Sequence, residues 1–528
     1  MPKRSIRVLL LVVSLLAIGG MIKWASGRVE RVDRFVPVDR PAKIFPDCNG
    51  AVIPPNIAPL NFEIREQGTA YAARISSNQG DPIEVSSRGP VILIPKGPWH
   101  DLLAGNRGGD LRIEVFIKDQ AGQWIRPNAV TARIARDDID RYLVYRKMHM
   151  GHLQVRSPTG IYCRDLTGFK ESLVLSSNDC GKACVNCHTF ARNHTDRMLL
   201  GLRSPQYGIA TLVVEGEAVH RIDKKFGYTS WHPSGRLAAF SINDLPMFYH
   251  ASRNEARDTT DLDSLLAFYK SDTRSIVTVP QVARKDRLES WPAWSGDGRY
   301  LYFCSAPKLW TDNTEYPPAQ YDQVRYDLMR IAYDPNADKW GEPETVLSAK
   351  DTGKSIAMPR CSPDGRWLSF CMCDYGYFPT WQENSDIYLM DLRASAATPL
   401  PYRRLEFNSN RSESWRTWSS NSRWLVYSSK VQNGFFTRLF ISYIDPEGKA
   451  HRPIVLPQKD PAFYGSCLQN YNTAELVVEP PRVTGKRLAG AFRRPSDISL
   501  GLPTTGPTPI VRPVPQNTQN VPGRVQRD

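Results

Sequence analysis

The 528-residue sequence predicts an all-β protein: an N-terminal β-sandwich of the immunoglobulin or fibronectin kind, then a β-propeller of five or six blades. Two observations carry this. Between residues 55 and 135 apolar residues alternate with polar ones at period two, as half-buried strands require. From residue 230 onward the chain repeats one hairpin four times, at intervals of about 60 residues. Hydrophobic residues make up 41% and charged residues 23% of the chain, which suits two or three globular domains.

The chain opens Met1-Pro-Lys-Arg-Ser-Ile-Arg7 and then runs apolar from Val8 to Ile22. A basic head followed by an apolar run is an export signal. Ala25-Ser26-Gly27 resembles a cleavage site, but Lys23 and Trp24 are poor lead-ins to cleavage, so residues 1–27 read as a signal anchor in preference to a removed signal peptide. The rest of the chain is then expected on the periplasmic side of a bacterial cytoplasmic membrane, or free in the periplasm if the segment is cleaved. A net charge of +14 is spread along the chain without a lysine-rich block. For an exported protein this reads first as a generally basic solvated surface, with anionic lipid or an acidic redox partner as the electrostatic alternative, and no nucleic-acid partner is expected.

Residues 45–140 form the expected sandwich. Leu111, Ile113, Val115 and Ile117 share one face, and similar runs at 60–64, 72–75, 83–85, 91–94 and 130–134 are separated by Gly, Asn and Asp turns.

Residues 141–197 are expected to connect the two domains, and they hold Cys184-Val-Asn-Cys187-His188. Two thiols separated by two residues can each form a thioether with a haem vinyl group, and the adjoining histidine can ligate the iron. The expected cofactor is one covalently bound haem c on Cys184, Cys187 and His188. Two other readings of these residues stay open: a zinc site of Cys180, Cys184, Cys187 and His188, and a disulfide at Cys184. The distal ligand is open too. His250, in Met247-Phe-Tyr-His250, and Met198 are the candidates, with His194, Met247 and the Met148-His149-Met150-Gly-His152 cluster behind them. Met198 heads an apolar run and also reads as a core residue.

Residues 198–480 form the expected propeller. Ser230-Trp-His-Pro-Ser-Gly-Arg236 recurs as Ala293-Trp-Ser-Gly-Asp-Gly-Arg299, Arg360-Cys-Ser-Pro-Asp-Gly-Arg366 and Thr417-Trp-Ser-Ser-Asn-Ser-Arg423. Each copy is a strand, a tight turn and a second strand. Asp297 and Asp364 are expected to bond their own turns, and Trp231, Trp294, Trp367 and Trp418 to pack between blades. Segments at 198–202, 209–214 and 218–222 read as a degenerate first blade. A further blade is expected from residues 459–480 or from a strand lent by the N-terminal part. Cys304 with Cys361 or Cys371, and Cys163 with Cys180, are candidate disulfides. Residues 485–528, rich in Pro, Arg, Thr and Gln, read as a disordered tail.

The order of Ile53-Pro-Pro-Asn-Ile-Ala-Pro-Leu-Asn-Phe62, Tyr142-Leu-Val-Tyr-Arg146, Cys184-Val-Asn-Cys-His-Thr-Phe190 and Thr195-Asp-Arg-Met198, followed by the blades, resembles a bacterial family of TolB-like propeller proteins with a single c-type haem motif. The resemblance spans about residues 45–475 and implies architecture more than activity. The expected function is periplasmic electron transfer to or from a redox partner protein. The alternatives are a propeller scaffold that binds a protein or glycan and carries a structural or sensory haem, and a haem-dependent oxidoreductase. No Ser/His/Asp set, phosphate loop or paired carboxylates stand out.

Overall fold

The computed structural model describes residues 31–149, 159–393 and 400–496. The segment read as a signal anchor, residues 1–27, lies outside them. Among the described residues no helix is long and apolar enough to cross a membrane.

The fold is mostly β and propeller-like. Six four-stranded antiparallel sheets follow one another, and their innermost strands are Cys184–Ala191, Thr229–Trp231, Arg287–Trp294, Ser355–Cys361, Glu413–Trp418 and Gln469–Val477. Each innermost strand touches the next, and Gln469–Val477 touches Cys184–Ala191, so the ring is closed. Numbered by these strands, blades one to five each come from consecutive sequence. The sixth is composite: Gln469–Val477 pairs with Tyr142–His149, which is followed outward by Gly160–Asp165 and Glu171–Ser176. Both sources considered for an additional blade therefore contribute to one sheet, and chain ends far apart in sequence are zipped together by main-chain hydrogen bonds.

Two boundaries differ from expectation. Residues 141–197 are not a connecting segment: they supply three strands of the sixth blade and the innermost strand of the first. Consecutive residues are buried in both strands, Leu143 to Arg146 in one and His188 to Ala191 in the other, so both faces are covered and the strands are built into the ring. Secondly, the tail begins with order. Gly485–Arg493 is a helix capped by Thr484, whose side chain accepts from the Arg487 amide. Leu488, Ala489 and Phe492 are buried against Val174, Cys180 and Leu212. Residues 497–528 lie outside the described residues.

The repeated turns are as expected. Asp297 Oδ1 accepts from Ser295 Oγ and the Arg299 amide at 2.6 and 3.0 Å, and Asp364 does the same in its own turn. Gly298 adopts φ +75°, and a Cβ there would lie 2.3 Å from His232 Nε2 on the neighbouring blade, so the turn needs glycine for conformation and for space. Trp231, Trp294, Trp367 and Trp418 are all buried.

The N-terminal residues form a seven-stranded sheet around Asp110–Lys118, a three-stranded sheet of Ile44–Phe45, Phe62–Ile64 and Val91–Ile92, and the helix Lys96–Gly105. The larger sheet is mixed: Val36–Pro41 runs parallel to Trp124–Asn128, and Val130–Ile134 parallel to Val52–Ile53. One continuous core joins Ile53, Trp99 and Val115 to Trp424, Leu439 and Tyr471, which seats this unit on the fifth and sixth blades.

The hairpin Met247–Tyr249 with Arg257–Thr259 is inserted after the second strand of blade two. Its loop carries Glu255, which pairs with Lys430 of blade five. In a six-membered ring these blades are opposite, so the insertion crosses the propeller axis as a strap. Asp258 anchors it on the way: its carboxylate accepts from Tyr375 of blade four at 2.7 Å, bonds His250 Nε2 at 2.9 Å and accepts from the Thr259 amide at 2.8 Å.

Candidate functional site

The innermost strands share a local irregularity. The ladder slips between Asn186 and Thr189, Ser290 and Ala293, Ala357 and Arg360, and Ser414 and Arg416, and between Asn472 and Glu475 in the sixth blade. These are β-bulges, which bend a strand and re-aim the side chains of the extra residue. Trp291, Met358, Trp415 and Thr473 occupy them at φ +56°, +54°, +37° and +47°, a region non-glycine residues seldom adopt. Cys187-His188 fills the same place in blade one that Trp291-Pro292 and Met358-Pro359 fill in theirs.

The bulged residues meet in an axial cavity of about 620 Å³, its mouth included, whose wall includes His188, Trp291, Met358, Arg360, Arg416 and Glu475. His188 is buried, and neither ring nitrogen has a hydrogen-bond partner. Burial pushes its pKa down to about 4, so the imidazole is neutral; the backbone of Val144 lies close and opposes the shift without forming a well-aligned bond. A neutral, buried imidazole with free nitrogens is costly for the fold alone and is the form that binds a metal.

Cys184 stands at the start of the same strand, opposite Arg203. Its Sγ lies 3.9 Å from an Arg146 nitrogen, and Arg146 also donates to Asn186 Oδ1 at 2.8 Å. Burial raises the Cys184 thiol, but Arg146, Lys225 and Arg203 outweigh it, and the pKa ends below its ordinary value. A lowered thiol pKa raises the share of thiolate, the form that reacts. Cys48, Cys163, Cys180 and Cys361 differ: burial raises each of them to about 12 or beyond. Cys184 and His188 therefore fit the demands of a covalently held haem, one as a reactive thiol and the other as an unengaged nitrogen donor.

The other sequence candidates lie elsewhere. Met198 sits on the second strand of blade one, 2% exposed, in the core with Phe190 and Leu200. His250 is spent on Asp258 within the strap. His194 is exposed beside Glu479, Met247 is exposed on the strap, and neither lines the cavity. Met148 and His149 end a sixth-blade strand, while Met150 and His152 lie outside the described residues. No group of three or more His, Cys, Asp or Glu is arranged for a metal ion among the described residues. Cys163, Cys180, Cys304, Cys361 and Cys371 are free thiols, so neither candidate disulfide is present. Cys163, Cys180, Cys304 and Cys371 are buried and fill small positions in the core.

Sequence reasoning missed Met358, Arg360, Arg416 and Glu475. For Met358 a signal existed: Ala357-Met-Pro-Arg-Cys361 stands before Ser362-Pro-Asp-Gly as Ser290-Trp-Pro-Ala-Trp294 stands before Ser295-Gly-Asp-Gly. Aligning the residues ahead of each turn would have placed Met358 and Trp291 at equivalent positions.

No protein-family model and no curated protein matches the chain. Among solved structures it is similar to an oligogalacturonate lyase in complex with manganese (14% identity, 59% of this chain and 72% of that one, TM-score 0.35). It is also similar to the oligogalacturonate lyase of Vibrio parahaemolyticus (9%, 73% and 100%, TM-score 0.32) and to prolyl oligopeptidase B of Galerina marginata (10%, 65% and 42%, TM-score 0.32). The propeller assignment rests on the closed ring of strand ladders.

Proposed function

We propose that the protein is an exported monohaem c-type cytochrome built on a six-bladed propeller and working in periplasmic electron transfer. The observation that carries this reading is the His188 imidazole, buried on the cavity wall with both nitrogens unengaged. His188 would supply the proximal nitrogen, Cys184 and Cys187 the thioether bonds, and the Val144 backbone the contact that orients the ring. The haem would supply a one-electron redox centre. The closed ring of blades would hold His188 rigidly and keep bulk water from it. Met358 is the donor offered by the same cavity wall, in place of Met198 and His250. A thioether there would raise the potential relative to a second histidine.

Under this reading residues 1–27 tether the protein to the cytoplasmic membrane, the N-terminal sheets act as a sandwich-like support for blades five and six, and the basic surface favours an acidic redox partner. The test is the absorption spectrum of the purified chain, with a denatured-haem assay. One haem per chain is expected, lost in Cys184→Ser; Met358→Ala should turn a low-spin spectrum high-spin. A colourless protein from a host that matures c-type cytochromes refutes the reading.

A further inference from the structure

Arg416 is 6% exposed, and it lines the axial cavity. Its Nε donates to Ser369 Oγ at 3.0 Å, Nη2 to the Ser369 carbonyl at 3.1 Å, and Nη1 to Cys371 Sγ at 3.1 Å. All three acceptors are neutral: the Cys371 thiol is itself pushed up by burial, against the pull of Arg416. A guanidinium has five N–H donors, so two are left over, and it keeps its charge inside proteins.

Nothing nearby balances that charge. Among the described residues no carboxylate lies within ion-pair distance of Arg416. Glu475, the one acidic residue on the cavity wall, is turned to Arg360 Nη2 and Thr417 Oγ1. His188 is neutral. The wall thus carries two guanidinium groups against one carboxylate, in a place where an unmatched charge is costly. Aromatic rings complete it: Tyr228 stacks on Trp291 at 3.4 Å between centroids, and the Trp415 ring meets Trp291 edge-on at 5.5 Å. Residual positive charge, spare donors and flat apolar walls are what a carboxylate attached to a planar ring system requires.

We propose that the axial cavity seats a carboxylate on Arg416, with the body of the carboxylate-bearing molecule lying along Trp291, Trp415 and Tyr228. This goes beyond the electron-transfer reading and does not depend on it. The carboxylate can belong to a free aromatic acid or to a propionate of the bound haem, and the two sources are separable.

The experiment uses the purified full chain, with benzoate as probe and benzamide as its neutral counterpart, followed by thermal shift and calorimetry. If the seat takes free acids, benzoate binds saturably and roughly tenfold or more tightly than benzamide. Arg416→Met then removes the preference and leaves the ligand-free melting temperature unchanged or raised, because an unmatched buried charge has been replaced by a methionine. Arg416→Lys restores part of it. If the seat is filled by a haem propionate, benzoate is silent on the coloured protein, and Arg416→Met shifts the haem potential while Arg416→Lys does so less. The proposal is overturned if benzoate and benzamide act alike and Arg416→Met leaves the potential unmoved. Because the benzoate and benzamide comparison needs no variant, a misfolding Arg416→Met does not protect the proposal. A colourless chain that prefers benzoate removes the haem reading and keeps this one.

Discussion

The strap across the propeller axis makes a prediction whose sizes come from its bonding. Lys430 and Glu255 side chains are 5% and 9% exposed, so their ion pair is shielded from water and salt. The two partners are not equally committed. Glu255 also takes two bonds from the Arg257 guanidinium at 2.8 Å and one from the Arg257 amide at 3.1 Å, whereas Lys430 has Glu255 as its charge partner. Removing Lys430 leaves a carboxylate still neutralised by Arg257. Removing the charge of Glu255 strands two cations, one of them almost wholly buried. Breaking a buried pair from the costly side loses about 3–5 kcal/mol. Glu255→Gln should fall in that range, and Lys430→Met, which keeps an apolar stem in place, should cost about 1–2 kcal/mol. The assay is urea unfolding monitored by tryptophan fluorescence, run at low and high salt, with limited proteolysis of the 247–259 segment alongside. Added salt should move neither difference by much. Equal losses in the two variants, or losses under about 0.5 kcal/mol in both, a size typical of surface pairs, would refute the idea that the strap is fastened to the opposite blade.

Three further outcomes follow from burial and packing. Glu289 is 2% exposed and its pKa is raised to about 8 by burial, against the opposing pull of Arg287. The native state therefore holds its proton more tightly than the unfolded chain, so stability is fully present below about pH 4.5 and is lost as pH rises through 8, by something of order 3–5 kcal/mol. Glu289→Gln should flatten that part of the profile of unfolding free energy against pH. Phe492 is fully buried under blade one and the composite sixth blade, so Phe492→Ala should cost about 3–5 kcal/mol in denaturant unfolding, a loss no disordered tail would show. Gly298→Ala combines a φ of +75° with a contact 2.3 Å from His232 Nε2, and it displaces the 3.1 Å bond from that ring to the Gly298 carbonyl. A loss of about 2–4 kcal/mol is expected in the same assay.

What could be read from the sequence was what is encoded locally. The blade hairpins were legible because Ser362-Pro-Asp-Gly365 and its relatives carry their turn chemistry within five residues, and short apolar strands rich in aromatic and aliphatic residues follow each turn. The closing sheet was not, because Gln469–Val477 finds Tyr142–His149 across more than 300 residues and nothing in either segment names the other. The parallel neighbours in the N-terminal sheet escaped for the same reason: alternation fixes which face is buried and leaves the partner open. The Gly485–Arg493 helix was hidden by composition, since three apolar contacts at i, i+1 and i+4 are enough when a core already waits for them.

The candidate site divides along the same line, and the division bears on chemistry. Cys184, Cys187 and His188 were legible because a Cys-x-x-Cys-His motif is contiguous in the sequence. Met358, Arg416 and Glu475 come from three different blades and become neighbours only when the ring closes. Their contributions are set by the bulges, which bend the innermost strands toward the axis at one height: a histidine in blade one, a methionine in blade four, and in blades three and five the tryptophans Trp291 and Trp415. A propeller that used its axis only for packing would have little reason to hold four non-glycine residues at positive φ there, each at a cost of about 1–2 kcal/mol. That strain, borne by the innermost strands and offset by the packing of the outer ones, is the fold-level argument that the cavity beside His188 is a working site.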